Sequence, residues 1–188
     1  QIPEGGLSNK VKSLQVFNNE LYVGGDFTNA GSTVNQTWYI ARYNGSSWNS
    51  LNSIIWNEVP SVLSMVEYNN ELIIAGTFYT KNYIQRWNGV EWLSLGTGMN
   101  SNIRALAVYN NELYAAGDFS NAGGVIVNKI AKWDGSNWSD VSLGTNQIVY
   151  SLYVYNNKLF VGGDFTTAGG SSASRIAYYS EPITNIQE

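Results

Sequence analysis

Four stretches of this chain alternate apolar and polar positions and can be laid over one another: VKSLQVFNNELYVGGDF from Val11, VLSMVEYNNELIIAGTF from Val62, IRALAVYNNELYAAGDF from Ile103 and VYSLYVYNNKLFVGGDF from Val149. Each contains an apolar-rich run, a pair of asparagines and a second apolar-rich run. Alternation with period two marks a strand with one buried face. Asparagine tolerates positive φ, so a two-Asn connection predicts a tight hairpin of the primed type. A third run (IARY from Ile40, IQRW from Ile84, IAKW from Ile130, IAYY from Ile176) follows a longer loop. In three copies this run leads into Asn44-Gly45, Asn88-Gly89 or Asp134-Gly135 and then Trp48, Trp92 or Trp138, which predicts a second hairpin and a fourth strand. Tyr43 and Trp48, Trp87 and Trp92, and Trp133 and Trp138 flank these turns and are expected to pack as cross-strand aromatic pairs.

The aromatic before each Asn pair (Phe17, Tyr68, Tyr109, Tyr155) recurs after 51, 41 and 46 residues, the period of a four-stranded propeller blade. No segment sustains a 3.6-residue period, so the expected fold is all-β: a four-bladed β-propeller with four antiparallel strands per blade. The repeats fall near 11–57, 58–98, 99–144 and 145–181, making 1–181 a single domain and 182–188 a C-terminal tail or linker. The fourth repeat lacks the Asn-Gly turn and the tryptophan. Leu7 precedes Leu14 by the same seven residues that separate Met99 from Leu106, so residues 1–10 are expected to complete the last blade and close the ring, hiding its edges. The same pattern also fits a part of a larger propeller.

An apolar strand, a Gly-Gly doublet (Gly24-Gly25, Gly162-Gly163; Ala75-Gly76 and Ala116-Gly117 in the other copies), a spaced aromatic and a Trp together resemble kelch-type propeller repeats. The fuller string NNELYVGGDF, followed by NAGG and IARYNGSSW, is similar to repeats in secreted surface proteins of the Bacteroidetes. That resemblance implies a propeller exported to the cell surface or medium. The tail PITNIQE resembles the linker before a C-terminal sorting domain of type IX secretion cargo.

In a four-stranded blade the 1–2 and 3–4 turns share one face of the disc, and the 2–3 and 4–1 loops share the other. Here the first face consists of tight Asn-built turns. The second carries the length changes, since the 2–3 loop spans 13 positions from Phe27 to Ile40 but 6 from Phe78 to Ile84. Variable loops on a rigid scaffold are where binding usually resides. The repeat accounts for five of the seven tryptophans, and the other two, Trp38 and Trp56, lie in lengthened loops. A loop tryptophan stacks on a sugar ring or anchors a protein partner. Asn35, Gln36, Tyr39, Tyr79, Lys81 and Tyr83 complete the expected ligand-binding set.

The net charge of -4, with no cluster of Lys or Arg, argues against nucleic acid as a partner, and no run is apolar enough for membrane insertion as a helix. The chain has neither His nor Cys, which removes Ser-His and Cys-His nucleophiles and His or thiolate metal sites. No cofactor is expected. Asp26, Asp118 and Asp164, which follow the glycine doublets, are the candidate ligands for calcium, although such residues also serve as local turn acceptors. The chain thus reads as a non-catalytic secreted or cell-surface module binding glycan, or a surface or secretion-system protein, through its long-loop face. A structural or assembly subunit is the alternative. A carboxylate-dependent glycan-active enzyme using Glu58 is the remaining reading.

Overall fold

The computed structural model describes residues 5–31, 37–51, 60–142 and 144–180. The first repeat unit forms β1 (Val11–Phe17), β2 (Glu20–Gly25), β3 (Ile40–Tyr43) and β4 (Trp48–Asn49), and the second β5 (Val62–Tyr68), β6 (Glu71–Gly76), β7 (Ile84–Trp87) and β8 (Trp92–Ser94). The third contains β9 (Ile103–Tyr109), β10 (Glu112–Gly117), the short β11 (Asn121–Ala122) and β12 (Val125–Ile126), then β13 (Ile130–Trp133) and β14 (Trp138–Asp140). The fourth contains β15 (Val149–Tyr155), β16 (Lys158–Gly163), the short β17 (Thr167–Ala168) and β18 (Ser171–Ser172), then β19 (Ile176–Tyr179). Within each unit the main strands pair antiparallel in chain order, in sheets of four, four, four and three strands. The fold is all-β and propeller-like.

Local chemistry explains the turns. Both asparagines of every 1–2 turn have positive φ, 48° and 61° at Asn18 and Asn19 and similar values in the other units, as a primed hairpin requires. The 3–4 turns are four residues long, with Tyr43 opposite Trp48, Trp87 opposite Trp92 and Trp133 opposite Trp138. Asn44 Oδ1 accepts the N–H groups of Ser46 and Ser47, and Asp134 Oδ1 those of Ser136 and Asn137. The flanking aromatics pack as expected, with ring centroids 5.1–5.3 Å apart.

A β-bulge interrupts the register of the first hairpin in all four units. The extra residue is Lys12, Leu63, Arg104 or Tyr150, and it lies opposite the glycine doublet. The bulge drives the upstream backbone onto the second glycine. A Cβ on Gly25, Gly76, Gly117 or Gly163 would stand 1.8–2.2 Å from a carbonyl oxygen of the first strand's lead-in. The first glycine of the doublet faces the next unit instead, and alanine takes its place at Ala75 and Ala116.

The core lies between units. Phe17, Tyr22 and Ile40 of the first pack onto Val62, Met65 and Leu72 of the second, and corresponding clusters join the second to the third and the third to the fourth. Strands β1, β5, β9 and β15 accordingly lie side by side in that order.

The expected ring closure is not seen among the described residues. Leu7 forms a bridge to Ala30 of the first unit, as Met99 does to Ala122 and Thr145 to Ala168. The N-terminal lead-in therefore belongs to the unit it enters, and no fourth strand pairs with β19 among the described residues. Leu7 occupies the place of Met99 and makes the same local bridge, and the segment upstream of it lies outside the described residues.

Candidate functional site

The bridges from Leu7, Met99 and Thr145 also establish which loops share a face, because each joins a 4–1 linker to a 2–3 loop. A polar residue after the bridge fastens the pair. Asn100 Oδ1 accepts the N–H groups of Ser120 and Asn121, Asn146 Oδ1 those of Thr166 and Thr167, and Ser8 Oγ those of Thr28 and Asn29. In the third and fourth units the 2–3 loop is itself a small hairpin turning on Gly123-Gly124 or Gly169-Gly170, all at positive φ. The sequence pattern alone marks these ribbons only as loop.

Among the described residues, Trp38 and Tyr79 are the exposed aromatics of the expected set. Trp38 follows the buried Thr37 and has φ 37°. Tyr79 opens the short 3-10 turn Tyr79–Lys81, closed by left-handed Asn82. The two occupy the 2–3 loops of adjacent units. Lys81 is half-buried in the same turn, and its carbonyl accepts from Gln85 Nε2.

Tyr39 and Tyr83, also of the expected set, sit at a backbone corner. They precede the third strand at φ 67° and 66°, as Lys129 and Arg175 do at 67° and 66°. In each unit this residue donates its N–H to the Phe ending the second strand's lead-out and accepts from the second glycine of the doublet. Two backbone hydrogen bonds thus hold a left-handed corner that is uncommon for a tyrosine. Tyr39 is buried in the junction between the first two units, and Tyr83 packs on that between the second and third. Tyr39 thus serves the core, while Tyr83 stays half-buried at its edge. Trp56, Asn35 and Gln36 lie outside the described residues, as does Glu58.

The three aspartates form no metal cluster among the described residues. Each meets the bulge residue of its own unit. Lys12 Nζ stands 2.8 Å from Asp26, Arg104 Nη2 2.9 Å from Asp118, and the Tyr150 hydroxyl donates to Asp164 at 2.7 Å. In the second unit the corresponding pair is Leu63 and Thr77, uncharged on both sides. The aspartates are therefore explained by bulge partners on the same hairpin. Burial, the largest single influence on Asp26, pushes its carboxyl up, but hydrogen bonds from Lys12 and Ser61 and the charges of Lys12 and Lys10 together outweigh it and hold the group below its ordinary value. A depressed carboxylate contributes stability that is complete above its unfolded value and is lost as pH falls through the folded one. Asp26→Asn is thus expected to flatten the loss of stability below about pH 4, checked by urea-unfolding midpoints across the acid range. The effect is small because the pair is partly exposed.

A second ladder, unforeseen in the sequence, crosses from the second strand to the third: Glu20 to Arg42 at 2.9 Å, Glu71 to Arg86 at 2.9 Å and Glu112 to Lys132 at 2.8 Å. The fourth unit replaces it with Lys158 over the Tyr178 ring at 4.0 Å. A cavity of about 400 Å³ opens beside β19, between Val141, Val161, Ala168 and Tyr179, on the side where the other units carry a fourth strand. It is lined mostly by apolar groups and holds no pair of carboxylates.

A family model for a β-propeller domain of unknown function, DUF5122, matches residues 156–177. The match covers the second hairpin strand, ribbon and third-strand start of one repeat, which is thus similar to a propeller repeat. No curated protein matches the sequence. Among solved structures, the computationally designed Ika4 protein is similar over 94% of both chains at 15% identity, TM-score 0.57. The designed Ika8 protein is similar over 87% of this chain and 47% of its own, at 16% identity and TM-score 0.55. The extracellular domain of a protein assigned as a hybrid two component system of B. thetaiotaomicron is similar over 94% of this chain and 22% of its own, at 16% identity and TM-score 0.57. These likenesses establish the fold, and one neighbour is extracellular. Among the described residues no helix is long and apolar enough to cross a membrane.

Proposed function

We propose that this chain is a non-catalytic secreted or cell-surface module of four propeller blades that binds a glycan or protein through its long-loop face, with Trp38 and Tyr79 as the contact aromatics. The observation that carries this reading is the contrast between the two loop faces. The 1–2 and 3–4 turns have little reach, whereas Trp38 is held outward next to a buried tyrosine by a backbone corner repeated in every unit. A large flat ring on a fixed corner binds with little loss of conformational entropy. Absence of His and Cys from the whole sequence supports the non-catalytic reading, and the extracellular neighbour supports the location. Kelch-like ancestry and export as type IX cargo remain part of this proposal, resting on the repeat strings and the tail.

The test is binding of the purified chain to an array of defined glycans. Trp38→Ala with Tyr79→Ala is expected to weaken any observed binding by at least about 10-fold, while Val90→Ala on the opposite face leaves it unchanged. Full binding by the double variant would overturn the proposed site. The reading as an assembly subunit draws on a separate observation, the uncovered faces of the first and fourth units.

A further inference from the structure

Every junction between units joins two different faces. The leading face of one unit, Phe17, Tyr22 and Ile40 in the first, meets the trailing face of the next, Val62, Met65 and Leu72. The fourth unit has a leading face and the first a trailing face, and neither is covered by described residues. Tyr155 is 59% exposed where its equivalents Phe17, Tyr68 and Tyr109 are 1%, 6% and 3%, and Ile176 is 64% exposed where Ile130 is 3%. On the first unit Leu14 is 61% exposed where Met65 and Leu106 are 6% and 7%. Tyr153, Tyr178, Val11 and Val16 are exposed on the same two faces. Apolar patches of this kind on a soluble fold mark a contact surface.

The backbone has the same complementarity. A Cβ on Gly98 or Gly144 would lie 2.5 or 2.2 Å from the carbonyl oxygen of Asn82 or Asn128 in the preceding unit, whereas Gly6, the equivalent glycine of the first unit, meets nothing within 4 Å. A Cβ on Gly24 would lie 2.5 Å from Val62 of the next unit, while on Gly162 it meets the side chain of its own Ser151. Gly6 and Gly162 are thus glycines at junction positions with no described neighbour across the junction.

We propose that a second copy of this chain covers both faces: the fourth unit of each copy receives the first unit of the other, head to tail, and two chains close one ring of eight units about a two-fold axis. The partner is a second copy because the missing half of each junction is the other end of the same chain. Closed propellers usually have four to eight blades. With four units left open, eight is the other multiple of four in that range, and a heterologous contact that closes after two copies gives a finite ring. The internal junctions specify the contacts. The Tyr109 hydroxyl donates to the Asn157 carbonyl at 2.9 Å, and the Leu106 N–H to Ser64 Oγ at 3.0 Å. Their equivalents join Tyr155 to Asn19, and Leu14 to Ser151, across the two copies. This inference uses sheet faces and does not depend on the loop-face proposal.

Light scattering on the eluting 188-residue chain tests it. The expected mass is twice 20.7 kDa, and Leu14→Glu and Tyr155→Glu, each on a different face, are each expected to halve it. Both positions are exposed in the single chain, so unchanged circular dichroism separates loss of assembly from loss of folding. If either variant unfolds, Gly6→Leu replaces it, since its side chain enters open space in the single chain. A wild-type chain that stays at 20.7 kDa at high concentration overturns the proposal, as it would if further blades of a longer polypeptide or another protein cover these faces. Open polymers overturn the closed ring, and a dimer that survives both substitutions overturns its placement.

Discussion

Gly76→Ala is expected to cost about 3 kcal/mol or more, the upper end of the range for forcing extra atoms into a packed interior. A Cβ there would stand 1.8 Å from the Ser61 carbonyl oxygen. That oxygen accepts the Thr77 N–H at 3.1 Å, so it cannot retreat without breaking the hydrogen bond that closes the bulge. The φ of Gly76 is not in the left-handed region, so the penalty is a collision with backbone. Gly162→Ala, at the first position of the fourth doublet, provides the contrast. Its Cβ would meet the rotatable Ser151 hydroxyl, and alanine already occupies that position in two units. Its cost is expected to stay within about 1 kcal/mol. Urea-unfolding midpoints compare the two directly, and equal midpoints would refute the bulge argument.

Trp138→Ala is the second large effect, expected to cost about 3–5 kcal/mol. Trp138 is buried, stacks 5.3 Å from Trp133, and lies against the backbone of Gly123, where a Cβ would approach its ring at 3.0 Å. Its indole N–H donates to the Leu95 carbonyl of the preceding unit at 3.1 Å. One side chain therefore ties the outer strand to its own loop ribbon and to the neighbouring sheet. Trp138→Phe keeps most of the apolar contact but leaves the Leu95 carbonyl without its donor, at an expected cost of about 1–3 kcal/mol. Thermal unfolding should rank wild type above Phe and Phe above Ala. Equal melting of the Phe variant and wild type would show that the hydrogen bond carries no net stability.

The exposure of the expected site residues was partly legible in advance. Trp38 and Tyr79, in loops whose lengths vary, are exposed. Tyr39 occupies such a loop yet is buried and Tyr83 is half-buried, and both stand at the left-handed corner before the third strand. Its occupants, Tyr, Tyr, Lys and Arg, share no side-chain property, since two backbone hydrogen bonds hold it. The same limit hid the reason for the aspartates. Their partners sit on the bulge, and a bulge is a register property of two paired strands that neither strand announces alone.

By itself, the sequence determined the four units, their hairpins and the cross-strand aromatic pairs. Those are local matters, written in period-two alternation and in residues that tolerate positive φ. Tertiary structure alone decided which glycine of each doublet is obligatory, where the aspartates find their partners, and that the first and fourth units share no sheet among the described residues. Ring closure depends on how far each sheet is rotated against the next, which side-chain packing between units sets, and a repeat pattern counts units without specifying that angle.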